Sequence, residues 1–97
     1  MPTYVTLLNL TQKGVETIKQ SPQRVEAAKQ MAKSAGGEIK AVYYTMGQYD
    51  IVVISEAPDD ETAVRTSLGA SLQGNVRSQT LRAFPADEFM KIVKQLP

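Results

Sequence analysis

The sequence predicts an α+β fold in which one antiparallel sheet carries two helices on the same side, followed by a C-terminal helix. Segments with strand and helix character follow one another in the order β-α-β-β-α-β. Two of the connections have helical length and one is a short hairpin, and this combination specifies a split arrangement of the strands. With 97 residues, of which 42% are hydrophobic, the chain is sized for a single domain with one core, residues 1–97.

The first predicted strand is "TYVTLLNL", Thr3 to Leu10. Both of its alternating sets contain apolar side chains, which indicates a central strand covered on both faces. A polar loop containing Gly14 follows. The segment "SPQRVEAAKQMAKSAGG" then predicts a helix with Ser21 as its N-cap, Pro22 in the first turn and a glycine in a left-handed conformation at its end. Its buried stripe is expected to contain Val25, Ala28, Ala32 and Ala35.

The middle of the chain predicts a β-hairpin followed by a second helix. "EIKAVYYTM" and "DIVVISEA" are strand segments joined by a short connection that contains Gly47. "IVVIS" is continuously apolar, as in an interior strand. Carboxylates in "PDDE", residues 58–61, can cap the start of the next helix, which Gly74 ends. Its buried stripe is predicted to be Val64, Leu68 and Leu72.

The last strand and helix complete the pattern. "NVRSQTLRAF" is more polar and fits an edge strand, and "PADEFMKIVKQL" predicts a short helix. The apolar side of this helix is expected to contain Phe89, Ile92, Val93 and Leu96. The full order, β-α-β-β-α-β plus a C-terminal helix, is that of a ferredoxin-like sheet.

One face of this sheet lacks a predicted cover. If the opposite set of side chains on the first strand faces the helices, the uncovered face contains Tyr4, Leu8 and Leu10, with Tyr43 or Tyr44 beside them. Only the short terminal helix remains to cover them, and exposed apolar patches of several hundred Å² are uncommon in monomers. The sequence therefore predicts a homodimer or higher homo-oligomer that packs sheet against sheet.

Composition narrows the possible chemistry. The chain has no cysteine and no histidine, which excludes metal sites built from those ligands as well as thiolate or imidazole catalysis. Eleven basic and ten acidic side chains leave a net charge of +1, which favours neither nucleic acid nor a membrane surface. We expect a cytoplasmic protein without a metal or cofactor.

Residues of the hairpin connection are the main candidates for a site. Gly47 can supply the positive φ of the turn and Asp50 can bond nearby backbone N–H groups, which is a structural interpretation. Alternatively, the Tyr49 hydroxyl and the Asp50 carboxylate point into a cleft at the end of the sheet. The candidate ligand-binding residues are Gly47, Tyr49, Asp50, Tyr43, Lys13 and Arg82, the last two as cations for an anionic ligand.

Three segments resemble the GYD domain family, small bacterial proteins with a Gly-x-Tyr-Asp motif. They are "YVTLLNLTQKGVETIKQSPQR", "GQYDIVVISEAPDD" and "GNVRSQTLRAF", and the motif falls on Gly47, Tyr49 and Asp50. The resemblance covers nearly the whole chain. It implies a ferredoxin-like protein of the dimeric α/β-barrel type and assigns no biochemical role.

The sequence leaves three functions open. The first is a homo-oligomeric binding module for a small polar or anionic organic molecule. The second is a cofactor-free enzyme, monooxygenase- or isomerase-like, with Asp50 as base and Tyr49 as hydrogen-bond donor to a developing enolate. The third is a structural assembly protein.

Overall fold

The computed structural model describes residues 1–97. The elements in chain order are β1 Thr3–Leu10, α1 Gln12–Glu16, α2 Ser21–Ser34, β2 Glu38–Tyr44, β3 Ile51–Glu56, α3 Asp60–Ser71, β4 Val76–Ala83 and α4 Ala86–Val93. A 3₁₀ turn, Ile18–Gln20, joins α1 to α2.

The four strands form one antiparallel sheet in the order β2-β3-β1-β4. This order confirms the ferredoxin-like prediction, with β1 central and β4 at an edge. Leu8 of β1 lies opposite Ile51 on one side and Ser78 on the other, so both neighbours pair along the same stretch of β1.

The helices cover the face of β1 that contains Tyr4, Thr6 and Leu8, all of which are buried. The prediction that Tyr4, Leu8 and Leu10 lie on the uncovered face is therefore wrong. Both alternating sets of β1 contain large apolar residues, so the pattern alone did not decide between the faces. The Tyr4 hydroxyl finds its partner only on the helix side, where it donates a 2.5 Å hydrogen bond to Asp60 Oδ1.

The helix starts differ in part from the predictions. The expected polar loop after β1 is helical, because the Thr11 hydroxyl accepts from Gly14 N–H at 3.1 Å and caps α1. Ser21 is the first residue of α2 rather than its N-cap, and its hydroxyl donates to the carbonyl of Ile18 at 2.6 Å. The predicted acidic cap of α3 is confirmed, since Asp59 Oδ1 accepts from Thr62 N–H at 2.8 Å.

The prediction of a buried Val64, Leu68 and Leu72 stripe on α3 is wrong. These three side chains are 51%, 62% and 86% exposed. The side of α3 that faces the sheet has small residues instead, with Thr62 and Ala63 buried. Small residues allow the helix to approach the strands closely, and the large apolar residues therefore point outward.

Edge strand β2 contains a β-bulge. The pairing with β3 shifts between Ile39, opposite Ser55, and Ala41, opposite Ile54, so Lys40 has no partner in the ladder. The Lys40 ammonium lies 3.4 Å from Glu38 Oε2 and 3.7 Å from Glu56 Oε1.

Helix α4 extends away from the rest of the chain. It has no buried residue and no substantial packing contact with another element. The molecule consequently measures 52 × 31 × 18 Å. None of its helices combines the length and the apolar character needed to cross a membrane.

Candidate functional site

The Gly47–Asp50 segment forms the tight connection between β2 and β3. Gly47 has a φ of +104°, in the region that favours glycine. Thr45 closes the turn twice: its N–H donates to the carbonyl of Asp50 at 2.8 Å and its hydroxyl donates to the carbonyl of Tyr49 at 2.6 Å. The turn is therefore held by both the backbone N–H and the side-chain hydroxyl of Thr45.

The Asp50 side chain ties this turn to the end of β1. Asp50 N–H donates to the carbonyl of Leu8 at 2.9 Å, and Asp50 Oδ2 accepts from Leu10 N–H at 2.8 Å. The carboxylate thus extends the β1–β3 ladder by one hydrogen bond beyond Ile51. This geometry supports the structural interpretation of Asp50.

Tyr49 and Tyr43 both lie on the sheet face away from the helices. Tyr49 Oη donates to Gln79 Oε1 at 3.0 Å. Gln79 belongs to β4, opposite Leu7 of β1, so the Tyr49 side chain extends across β1 to reach it. Tyr43 lies opposite Val52 and is 59% exposed. The two tyrosines flank a shared surface and do not line an enclosed pocket in the single chain.

Lys13 and Arg82 are far apart. Lys13 Nζ donates to the carbonyl of Gln73 at 2.8 Å, near the Leu10 end of β1. Arg82 lies opposite Tyr4, near the other end of β1, and its guanidinium is 4.5 Å from the centroid of the Phe84 ring. Six residues of strand separate these ends by about 20 Å. The structure brings Gly47, Tyr49 and Asp50 together. Lys13 and Arg82 lie near opposite ends of β1, so they cannot both belong to a site at this turn.

The uncovered sheet surface, here called the open face, is largely apolar. Its positions follow from the strand register, because residues paired across antiparallel strands point to the same side. The open face contains Val5, Leu7, Ala41, Tyr43, Val52, Ile54 and Leu81. An uncovered sheet surface was predicted from the sequence, but with the wrong residues of β1.

A second uncovered apolar surface, here called the α3 stripe, consists of Val64, Leu68 and Leu72. The i, i+4, i+8 spacing places these side chains on one side of the helix. An ion pair between Arg65 and Glu61, with 3.7 Å between Nη1 and Oε1, borders the stripe. The spacing was visible in the sequence, and only its direction was misjudged.

Two ionisable groups near the start of α3 have shifted pKa values: Tyr4 of β1 and Asp59, the N-cap of α3. Burial, together with the hydrogen bond to Asp60, raises the pKa of Tyr4 from 10.0 to about 12. Hydrogen bonds from the Thr62 hydroxyl and N–H hold the pKa of Asp59 below its usual value. The Tyr4–Asp60 hydrogen bond joins β1 to α3, whereas Asp59 caps the start of α3, and neither Tyr4 nor Asp59 was a predicted site residue.

The fold and the Gly47–Asp50 turn together define the class of protein. A four-stranded antiparallel sheet with its main helices on one side, and a Gly-x-Tyr-Asp hairpin leading into β3, is a ferredoxin-like α+β arrangement. The model of the GYD domain family matches residues 4–93. The chain belongs to the GYD domain family, which confirms the resemblance.

Known proteins show the same similarity. The chain is 34% identical over 95 residues, 97% of this chain and 100% of the relative, to the "Glutamine synthetase and cystathionine beta-lyase binding protein" of Thermus thermophilus. The crystal structure of TTHA0845, also from Thermus thermophilus, superposes with a TM-score of 0.55 and 25% identity, over 89% of this chain and 96% of that one. FFRP-DM1 shares the fold with a TM-score of 0.55 at 16% identity, over 87% of this chain and 100% of that one.

Proposed function

We propose that this protein is a self-associating binding protein that pairs through the open face and binds other proteins through the α3 stripe. The observation that carries the proposal is the presence of two separate uncovered apolar surfaces. The open face lies on one side of the sheet, and the α3 stripe lies on the outside of the helix layer. When a second copy covers the open face, the α3 stripe therefore stays accessible.

The open face suits a second copy of the chain. An isologous contact lets one apolar surface cover itself across a two-fold axis. Strands of six to eight residues in a four-stranded sheet give a footprint of about 400 Å². Stable interfaces bury about 800 Å² per partner, so the sheet contact needs a further contribution.

Helix α4 supplies that contribution. Phe89, Ile92, Val93 and Leu96 are 48%, 44%, 41% and 65% exposed and lie on one side of the C-terminal segment. Only Phe84 and Pro85 separate β4 from α4, and Pro85 is extended with φ −52° and ψ 148°. This short link directs the helix away from its own sheet. In a pair, the apolar side of α4 packs on the second copy.

The α3 stripe is the surface for a different protein. Three large apolar side chains more than half exposed on one helix are typical of an anchor for a protein partner. The relative from Thermus thermophilus is named for binding glutamine synthetase and cystathionine beta-lyase. We infer that this chain binds the corresponding enzymes.

A small polar or anionic ligand near Tyr49 and Asp50 remains a prediction. Its support is the Tyr49–Gln79 hydrogen bond on the open face, a polar pair that a second copy would enclose. A cofactor-free enzyme also remains a prediction. Its proposed base, Asp50, already accepts the Leu10 N–H.

Two matched surface variants test the main proposal. Binding of purified glutamine synthetase and cystathionine beta-lyase from the same organism is measured by biolayer interferometry, and oligomeric state by native mass spectrometry. Leu68→Lys should weaken enzyme binding by at least about tenfold, as expected for a central anchor, and leave the pair intact. Val52→Lys, on the open face, should yield monomers.

A control variant with the same added charge distinguishes loss of the apolar anchor from an effect of the charge itself. Gln30→Lys adds the same charge to an exposed position of α2, outside both surfaces. It should change neither measurement. Wild-type protein that binds neither enzyme, or Leu68→Lys protein that binds them undiminished, would contradict the role of the stripe. Wild-type protein that is monomeric at micromolar concentration would contradict the role of the open face.

A further inference from the structure

The outer edge of β4 presents a row of backbone groups that no other strand uses. Strand β4 is the last in the sheet order and pairs only with β1. Thr11 N–H donates to the carbonyl of Asn75 at 3.0 Å, so alternate residues counted from Asn75 bond β1 in this antiparallel ladder. No backbone hydrogen bond outside the helices and strands involves the residues between them. These outward residues are Val76, Ser78, Thr80 and Arg82.

The two edges of the sheet differ in regularity. Strand β2 is interrupted by the bulge at Lys40. Strand β4 pairs with β1 without a shift from Val76 to Ala83, and it contains neither proline nor lysine. Bulges, prolines and lysines are the usual means by which proteins protect a strand edge. Strand β4 therefore keeps the regular geometry that an added strand needs.

The α3 stripe lies beside this edge. Ser67 Oγ is 2.8 Å from Thr80 Oγ1, so this side of α3 faces β4, whereas Gly69 faces α2. At about 100° per residue, Val64 lies about 60° from Ser67 and about 140° from Gly69 around the helix axis. Val64 and, one turn later, Leu68 are more than half exposed. The stripe thus begins above the outer edge of β4, and a strand added there would lie against it.

Two arginines give the edge a positive charge. Arg77 and Arg82 lie near its two ends, and none of the ion pairs of the structure includes either of them. A second copy added at this edge would bring two more arginines to one line of contact. A segment with acidic residues would instead neutralise both charges, so charge complementarity favours a different protein over a second copy.

We propose that a protein partner adds an extended, acidic segment to the outer edge of β4 as a fifth strand. The backbone of the segment bonds the outward N–H and carbonyl groups of β4, and its helix-side apolar residues pack on the α3 stripe. The inference rests on the proposed function, because it specifies how an enzyme partner engages the stripe. The open face stays free for the second copy.

The positions of the two arginines specify the pattern of the segment. Arg77 and Arg82 are five residues apart and point to opposite faces of the sheet. Carboxylates that pair with both must therefore also lie an odd number of positions apart in the segment. Apolar residues between them occupy the helix side. Since a proline would remove a backbone donor, the segment has none between the two acidic positions.

Amide hydrogen exchange of the wild-type protein tests strand addition directly. The protein is exchanged alone and in saturating complex with each of the two purified enzymes named above, then quenched and analysed by NMR. The N–H groups of Ser78, Thr80 and Arg82 should exchange freely in the protein alone and at least about tenfold more slowly in the complex. The N–H groups of Gln79 and Leu81 bond β1 and should be slow in both samples.

A proline variant tests the same edge through affinity. Ser78→Pro removes one outward N–H and leaves the bonds to β1 in place, because proline is tolerated where the N–H faces solvent. Ser78→Ala is the matched control, since it removes the hydroxyl and keeps the N–H. In biolayer interferometry, Ser78→Pro should bind each enzyme about threefold to tenfold more weakly than Ser78→Ala. Circular dichroism should show both variants folded.

A charge reversal tests the acidic character of the segment. Arg77→Glu should weaken binding of the enzymes by about threefold to tenfold, and the loss should shrink at high salt. Lys33→Glu makes the same change of charge at an exposed position of α2 and should leave binding unchanged.

The outcomes separate this inference from the proposed function. If Leu68→Lys weakens binding while Ser78→Pro matches Ser78→Ala and the outward amides stay unprotected, the stripe keeps its role and strand addition is overturned. Wild-type protein that binds neither enzyme overturns both proposals. Outward amides that are already protected in the protein alone, increasingly so at higher concentration, assign the edge to a second copy and overturn the inference. Undiminished binding by Arg77→Glu overturns the acidic segment.

Discussion

The carboxylate of Asp50 accepts a hydrogen bond of 2.8 Å from the backbone N–H of Leu10, and so joins the turn before β3 to the end of β1. The aspartate of the Gly-x-Tyr-Asp motif thereby completes a sheet ladder with its side chain. Its backbone N–H bonds the carbonyl of Leu8 in the same ladder. The motif consequently has a clear structural role whether or not it also binds a ligand.

Loss of this carboxylate should destabilise the fold. Asp50→Ala removes an acceptor for the half-buried Leu10 N–H and is expected to lower the free energy of unfolding by about 1–3 kcal/mol. Asp50→Asn keeps a side-chain oxygen in place and should retain most of the stability. Urea unfolding followed by circular dichroism measures both, and equal midpoints for Asp50→Ala and wild type would refute the structural role.

Substitution by alanine should have opposite effects on stability at Gly47 and at Gly69, because only Gly47 has a positive φ. The φ of +104° at Gly47 is unfavourable for alanine although no atom lies within 4 Å of an added Cβ, so Gly47→Ala should destabilise by about 1–3 kcal/mol. Gly69 lies inside α3, where an added Cβ meets only the Met31 side chain, with Sδ at 3.4 Å and Cε at 3.9 Å. Gly69→Ala should stabilise by up to about 1 kcal/mol. Thermal unfolding of the two variants compares the signs directly.

The burial of Tyr4, together with its hydrogen bond to Asp60, predicts a loss of stability in alkali. The native state raises the pKa of Tyr4 from 10.0 to about 12, so between these pH values the native protein keeps a proton that the unfolded chain releases. This contribution is complete below pH 10 and is lost as the pH rises toward 12. A titration of tyrosinate absorbance should show a late component that is absent in Tyr4→Phe. Its presence in that variant would contradict the assignment.

Because the large apolar side chains of the α3 stripe point outward, they should contribute little to stability. Leu72 is 86% exposed, so Leu72→Ala should change the free energy of unfolding by less than about 0.5 kcal/mol. Leu8 is 9% exposed beneath the helices, and Leu8→Ala should cost about 2–5 kcal/mol. Comparable losses in urea unfolding of the two variants would mean that the stripe faces the core after all.

Removal of α4 should separate folding from self-association. Because α4 has no buried residue and no substantial packing contact with another element of its chain, a variant that ends at Phe84 should stay folded, with nearly unchanged circular dichroism of the remaining elements. If the apolar side of α4 packs on a second copy, its loss should weaken pairing, measured by sedimentation equilibrium. An unfolded product, or a pair as tight as wild type, would contradict this role of the helix.

The sequence was sufficient to predict the elements that depend on local pattern. The bounds of β1 followed from its β-branched and apolar residues, and the cap of α3 followed from Asp59, because a carboxylate at that position satisfies free N–H groups. A positive φ was expected at Gly36 or Gly37 and at Gly47, and the structure has it at Gly36 and Gly47. These features are set by neighbouring residues.

Features that depend on tertiary contacts were harder to predict from the sequence. Alternation in β1 showed two apolar faces but not which one the helices cover, and that choice depends on Asp60, which is 56 residues away. The outward direction of Leu68 depends on how closely the small residues of α3 approach the sheet. Asn75 Oδ1 is buried without a hydrogen-bond partner, and no local pattern in the sequence indicates this.

The bulge at Lys40 limits how sheets of this protein can grow. An exposed strand edge invites another strand to add, and repeated addition produces open-ended ribbons. The irregular pairing beside Lys40 interrupts the row of N–H and carbonyl groups that an incoming strand would need, and the lysine places a charge there. Strand addition and fibre growth along β2 are thereby discouraged.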